Sequence, residues 1–326
     1  MGSYLLRRSF SLIPIFLGIT LISFTMMHLA PGKPTDLVTD LNIKVSLQAK
    51  QRLIALYGLD RPIHEQYISW MGRTIRGEFG RSFQDGRPVK NKILERIPIT
   101  LLINSLSLLL VLGLSIPLGV FSASHEGSLF DHGMTLSVFI GFALPTFWVA
   151  LLAIDFFCVR LGWFPVSGLY SLGSDRLGFG GKLLDLGHHL VLPVGIASFG
   201  ELAGYSRYIR SSMVDVLRQD YIKTARAKGL PERIVLYRHA LRNALLPMIT
   251  ILGLSVPGLI GGSVILESIF AIPGMGRLFF DSVMSRDYPV IMGLLVLGAG
   301  LTLIGNLIAD SSYALADPRI RYGGKP

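Results

Sequence analysis

A single cysteine, Cys158, occurs in 326 residues. That excludes an internal disulfide and any cysteine-rich metal cluster. Charge is scarce as well. Asp, Glu, Lys and Arg make up 16% of the chain, against roughly 25% in an ordinary soluble domain. There is no Gly-x-x-x-x-Gly-Lys-Ser/Thr stretch, so no P-loop can cradle a nucleotide, and no His-Glu-x-x-His for zinc. The apolar runs hold neither a Ser–Lys pair nor two aspartates, the sets an intramembrane enzyme needs. The expectation is a chain with no catalytic residue, no metal and no cofactor of its own.

What the sequence does have is long apolar runs. Hydrophobic residues make up 51% of it. Residues 9–31, 97–125, 132–154, 243–266 and 288–309 carry no charge, and each exceeds the roughly 20 residues needed to cross a bilayer. A sixth run, 186–200, is interrupted by Glu201 and resumes before Arg207. The reading is an all-α polytopic membrane protein with six spans, at 9–30, 97–122, 132–157, 187–209, 244–266 and 288–312. Arg7 and Arg8 before the first run imitate a signal peptide. The run is long, however, and lacks a small-x-small cleavage site before Pro31, so an uncleaved span is expected. Pro117 and Pro145 are expected to bend spans or to mark close packing.

Charge placement orients the spans. Arg7 and Arg8 precede the first, and residues 207–242 hold nine Lys or Arg against three acidic residues. Both lie inside if the first span starts inside, which satisfies the positive-inside rule. Residues 32–96 hold twelve basic against seven acidic residues, but a loop of that length escapes the rule. They read as an extracytoplasmic insertion with helices at 46–57 and 62–75, the second weakened by Gly72. Both termini then face the cytoplasm of an inner-membrane protein. The net charge of +10 is read as topology and contact with membrane lipid, with no nucleic-acid partner. Residues 267–287, apolar around Pro273-Gly274-Met275-Gly276, are expected to fold back on the membrane surface or the mouth of the bundle.

The most informative stretch is 215–247. Residues 214–228 have a helical pattern rich in Ala, Leu, Lys and Arg. Gly229 stops it, because glycine tolerates a positive φ. Pro231 and Glu232 start a second helix. The outcome is a rigid corner of two short helices within the cytoplasmic segment 210–243. The small residues Thr224, Ala225 and Ala227 allow another surface to approach. A soluble partner could push such a corner and displace spans four and five. The plainer alternative is a basic loop resting on lipid headgroups.

These residues resemble the first permease subunit of bacterial and archaeal ATP-binding-cassette importers for dipeptides, oligopeptides and nickel. The likeness runs over nearly the whole chain. It is carried by Leu29-Ala30-Pro31-Gly32, Tyr57-Gly58-Leu59-Asp60, Phe79-Gly80 with Ser82, and Thr224-Ala225-Arg226-Ala227-Lys228-Gly229. Further on it is carried by Leu241-Arg242-Asn243-Ala244, Gly261-Gly262 with Glu267, Arg286-Asp287-Tyr288-Pro289 and Asp317-Pro318-Arg319. The resemblance implies a type I importer permease fold and transport by alternating access. Lys223 to Leu230 (Lys223, Thr224, Ala225, Arg226, Ala227, Lys228, Gly229 and Leu230) then form the coupling motif that meets the ATPases. The implied partners are a second homologous permease, two cytoplasmic ATPases carrying ATP and Mg, and an extracytoplasmic substrate-binding protein. Lys223-Thr224-Ala225 stands where the family often has Glu-Ala-Ala, so a Glu-mediated contact to the ATPase does not carry over. Nickel, glutathione or oligosaccharide remain alternative cargoes to peptide. An ion-driven secondary transporter is a further alternative, although no inverted repeat is visible.

Ionisable residues inside spans are costly and point to function. Glu201 in span four either lines the pathway, meeting a peptide amino group or a basic residue of the partner, or packs between subunits. Asp155, at the outer end of span three, either attracts a cationic ligand or pairs with Arg160. His28, His188 and His189 fall at one membrane level but do not form a recognised metal cluster.

Overall fold

The computed structural model describes residues 2–29 and 61–316, and the side chains of all of these except 2–9, 249, 250, 254, 256 and 309–316. The expected helix at 46–57 and the basic tail from Asp317 lie outside the described residues. All the regular structure described is helical, apart from one isolated bridge between Arg81 and Pro88.

The helices in chain order are α1 Gly2–Leu29, α2 Ile63–Ile75, α3 Val89–Ser124, α4 Leu129–Ala143 and α5 Thr146–Ala153, which runs on as a π-helical stretch Ile154–Arg160. After a short turn Ser174–Arg176 come α6 Phe179–Leu217 and α7 Asp220–Ala227. Next is α8, built from consecutive pieces Glu232–Ile234, Val235–Ala240 and Leu241–Ala244. Then follow α9 Leu246–Gly261, α10 Val264–Ile269, α11 Met275–Met284 and α12 Tyr288–Ala316. Five helical segments are long and apolar enough to cross a membrane, or six if the bent pair α4 and α5 counts as one. At 1.5 Å per residue α3 and α6 are about 54 and 58 Å long, well beyond a hydrocarbon layer of about 30 Å. Their ends therefore project past the apolar zone.

The bundle is organised on α3 packed along α6, and α12 packed on both α9 and α1. Small residues make the first contact. Ser107, Val111, Ser115, Gly119 and Ser122 recur at near-helical spacing on α3 and are all buried. Ser198 of α6 donates to the Ser107 carbonyl at 3.2 Å. A Cβ at Gly119 would stand 2.7 Å from the Ile209 side chain, so glycine sets how closely the helices approach, in the manner of small-residue packing in lipid. The α9–α12 contact repeats the device. A Cβ at Gly305 would lie 2.6 Å from Pro257.

Three apolar clusters hold the bundle. One joins the end of α3 (Val120, Ala123) to Ile209 and Met213 of α6, Ile222 and Ala225 of α7, and Val235 and Ala240 of α8. A second gathers Ile103, Ala150, Leu190, Ile196, Leu266 and Phe270. A third gathers Val89, Ile93, Met275, Leu278 and Val290. Outside the bundle, α2 rests on α1 through Phe24, Tyr67 and Trp70. Gly72 does not interrupt α2.

Two features depart from a simple reading of the pattern. The run at 132–157 is two helices meeting at 99°, with Pro145 at the break. Residues 214–228 are not one helix: α6 ends at Leu217, and Gln219 is extended before α7. Residues 267–287 pack on the bundle. They form the end of α10 and all of α11, with Phe270, Ile272, Met275 and Leu278 buried.

Candidate functional site

The corner between α7 and α8 is built from its sequence outward. Gly229 has φ +74°, and its N–H bonds to the Arg226 carbonyl at 2.9 Å while the Leu230 N–H reaches Ala225 at 3.4 Å. This is the Schellman arrangement that ends helices at a left-handed residue. Pro231 then takes an extended conformation and α8 begins at Glu232. Two side-chain contacts brace the corner. Arg226 grips Glu232 with two hydrogen bonds, of 3.2 and 2.6 Å, and Asn243 donates to the Tyr221 hydroxyl at 2.8 Å.

One face of α7 belongs to the bundle. Ile222 and Ala225 are buried in the first apolar cluster. Thr224, Arg226, Ala227, Lys228 and Gly229 are exposed, and so is Lys223, which pairs with Asp220 at 2.8 Å. Ala225 was expected among the small residues open to a partner; it faces the chain's own core instead. Of the exposed cations Lys223 and Arg226 already have an acid within the chain. The Arg226–Glu232 pairing leaves marks on both groups: Arg226 holds the Glu232 carboxyl below the usual range, against the opposing effect of burial, and the Arg226 guanidinium is raised in turn.

Behind the corner the 125–131 turn is tied to α6. The Asp131 carboxylate, buried at 4% exposure, is gripped by Arg210, and Glu126 pairs with Arg218. Sequence reasoning did not single out these residues. Their only signal is an acid in a short turn, and their bases lie 79 and 92 positions away.

The opposite end of the bundle carries two further buried acids that were noted in motifs but given no role. Asp287, 1% exposed, accepts from Ser82 and from the Phe83 N–H at 3.0 Å. Lys92 joins this group through Ser82 at 3.1 Å and Asp85 at 2.8 Å. Burial alone would raise the Asp85 carboxyl. Hydrogen bonds from Lys92, the Arg87 N–H and Ser82 outweigh it and hold the group at about 2. Glu267, 4% exposed, accepts from Thr100 and from the Arg277 N–H, both at 2.9 Å. The crowding of Gly262 and Gly274 follows: a Cβ on Gly262 would stand 2.5 Å from a Glu267 oxygen, and one on Gly274 2.4 Å from the Glu267 carboxyl.

Glu201 lies just past the middle of α6, exposed on the isolated chain. It has no hydrogen bond or ion pair among the described residues. One and two turns before it on the same face, Ala197 and Pro193 line a small, shallow cleft with Asn104, Ser263 and Glu267. Asp155 pairs with Arg160 at 2.7 Å on the surface, so the local pair is the contact it makes in this chain. The three histidines do not converge. His28 reaches Gln66, His188 the Trp163 carbonyl and His189 the Asp185 carbonyl. Among the described residues no group of three or more His, Cys, Asp or Glu could hold a metal ion.

Long apolar helices that pack through small residues, with a braced polar corner at one end, define a polytopic membrane protein. The comparisons give the family. Residues 115–322 match the model of the binding-protein-dependent transport system inner membrane component, and residues 1–104 match its N-terminal companion. The chain belongs to this family. It is 48% identical to the oligopeptide transport system permease protein AppB of Bacillus subtilis (strain 168), over 99% of this chain and all of that protein. It is 38% identical to the di/tripeptide transport system permease protein DppB of Pseudomonas aeruginosa (strain UCBPP-PA14), over 99% of each.

Proposed function

We propose that this chain is one of two permease subunits through which di- or oligopeptides cross the inner membrane by alternating access, driven by ATP hydrolysed on partner ATPases. The relatives that support peptide as cargo are peptide permeases by name, and they align from end to end. In this reading six spans cross the membrane, with α4 and α5 together forming the third. Both termini are cytoplasmic, and residues 32–96 lie outside, where a binding protein delivers its ligand.

The observation that carries the mechanism is the corner. Lys223 to Leu230 present an exposed ridge (Thr224, Arg226, Ala227, Lys228) on a helix whose other face, Ile222 and Ala225, is locked into the bundle. A push on that ridge moves α6, α8 and α9 together, because one apolar cluster joins them. Glu201 lies on the pathway and meets the amino terminus of the peptide. It is an acid with no hydrogen bond or ion pair among the described residues, at a depth where an unmatched charge is costly. Asp155 belongs to the outer mouth.

The test is to purify the assembled complex with its binding protein and identify the ligand that comes with it by mass spectrometry. Short peptides are expected. A metal ion or a sugar in their place would overturn the cargo, and a complex that transports without an ATPase would overturn the mechanism.

A further inference from the structure

We infer that Asp131 and Arg210 are a positioning pair for coupling, which fastens the 125–131 turn to the stem of the coupling segment so that α3, α4 and α6 move as one body with α7. The inference rests on the proposed reading of the α7–α8 corner as the ATPase contact. Four observations carry it. The Asp131 carboxylate gathers donors from three separate elements: Ser122 at the end of α3, the Gly127 N–H of the turn at 3.0 Å, and the Arg210 guanidinium of α6 through both Nε and Nη2, the latter at 2.6 Å. Ser128 caps α4 by accepting from the Asp131 N–H at 3.2 Å, so the same residue also fixes where α4 begins. A second pair repeats the tie eight residues further along. Arg218, one of the two residues between α6 and α7, donates to both oxygens of Glu126 at 3.1 and 3.2 Å. Between the two pairs, Val120 and Ala123 share an apolar cluster with Met213 of α6 and Ile222 of α7.

The chemistry suits a mechanical role. A two-pronged Arg–carboxylate contact fixes orientation as well as distance. Buried charges of this kind are weak evidence for stability but can specify one arrangement over others. Here the arrangement specified is the position of the 125–131 turn relative to α7. Without the pair a displaced α7 would carry α6 and, through the shared cluster, the end of α3, while the 125–131 turn and α4 lagged behind, and the helices would not change access together.

The experiment uses the whole complex in lipid vesicles with its binding protein and radiolabelled trialanine as probe. Uptake and ATP hydrolysis are both normalised to assembled complex. Asp131→Asn removes the charge and keeps the shape; Arg210→Lys keeps the charge and loses the fork. Both are expected to lower uptake per ATP by about 5- to 150-fold, the range of ordinary coupling between sites, while ATP hydrolysis persists. Glu126→Gln, at the exposed pair, shows the same effect more weakly and decides the matter if Asp131→Asn does not assemble. Spin labels at His125→Cys and Lys223→Cys, in a Cys158→Ala background, provide a second readout. The distance should be narrow and equal with and without ATP, and should broaden in Arg210→Lys. A purely structural role would reduce the amount of complex and leave uptake per ATP unchanged. If uptake per ATP holds in the pair variants while Gly229→Val lowers it, the positioning pair is refuted and the coupling corner stands. If Gly229→Val also leaves it unchanged, the corner itself is refuted.

Discussion

Replacing Gly229 tests the corner at its hinge. The residue sits at φ +74°, and a Cβ built there meets nothing within 4 Å. Steric collision is thus removed from the problem, and only backbone preference remains. A non-glycine residue in the left-handed region costs roughly 1–2 kcal/mol, with Asn among the least affected. Each 1.4 kcal/mol is a tenfold change in population, so the native corner would fall about 5- to 30-fold if nothing else held it. Ile222 and Ala225 in the core and the Arg226–Glu232 pair do hold it, which offsets part of that loss. Uptake per ATP is therefore expected to fall in the order wild type, Gly229→Asn, Gly229→Ala, Gly229→Val. The valine variant should be about tenfold or more below wild type, because its β-branched side chain resists a positive φ most strongly. Paired uptake and phosphate-release measurements on reconstituted complex give the ratio directly. Wild-type uptake with Gly229→Val would refute the reasoning, and so would an asparagine variant as impaired as valine, since the backbone argument separates the two.

Glu201→Gln should reduce the preference for peptides with a free amino terminus over their N-acetylated forms by up to about fivefold, the size of an ion pair in a wet pathway. An unchanged competition profile would assign Glu201 to packing. Asp85 is held at about 2 against an ordinary 3.8. Its lowered value means that its contribution to stability is complete above about pH 3.8 and is lost as the pH falls toward 2. Thermal melts of wild type and Asp85→Asn should differ at pH 5 and converge near pH 2; a constant gap would sink the assignment. Gly119→Ala should destabilise the α3–α6 contact by about 1–3 kcal/mol through overpacking, visible as a lower melting temperature in detergent. Gly113→Ala, with open space around it, should be neutral.

The class of the fold was legible because lipid imposes a coarse rule: uncharged runs of sufficient length. Gly229 was legible for a similar reason, since a glycine followed by Pro231 and Glu232 is a local signal. The break at Arg218–Gln219 was not, because the residues on both sides favour helix, and it is the burial of Ile222 and Ala225 in the cluster with Met213 that accompanies the turn. Ala225 was misread for the same cause: composition shows that it is small but not which way it faces. The acids that matter most to the packing, Asp131, Glu267 and Asp287, find their partners 79, 167 and 205 positions away. A periodic pattern carries no record of such separations. Glu201 stood out because it interrupts an apolar run, and among the described residues no hydrogen bond or ion pair answers its charge.

The right-angled meeting of α4 and α5 also constrains what surrounds the protein. Pro145 brings no N–H to the Gly141 carbonyl, and Leu144 has left the helical conformation. Backbone oxygens at that depth are released from the ladder, and hydrocarbon tails offer them no donor. Irregular backbone within a membrane persists only against protein or along a water-filled cavity. If α4 and α5 together form the third span, as proposed, the elbow faces away from lipid on at least one side. That restricts how a neighbouring subunit or an aqueous route can be arranged around this chain before either has been seen.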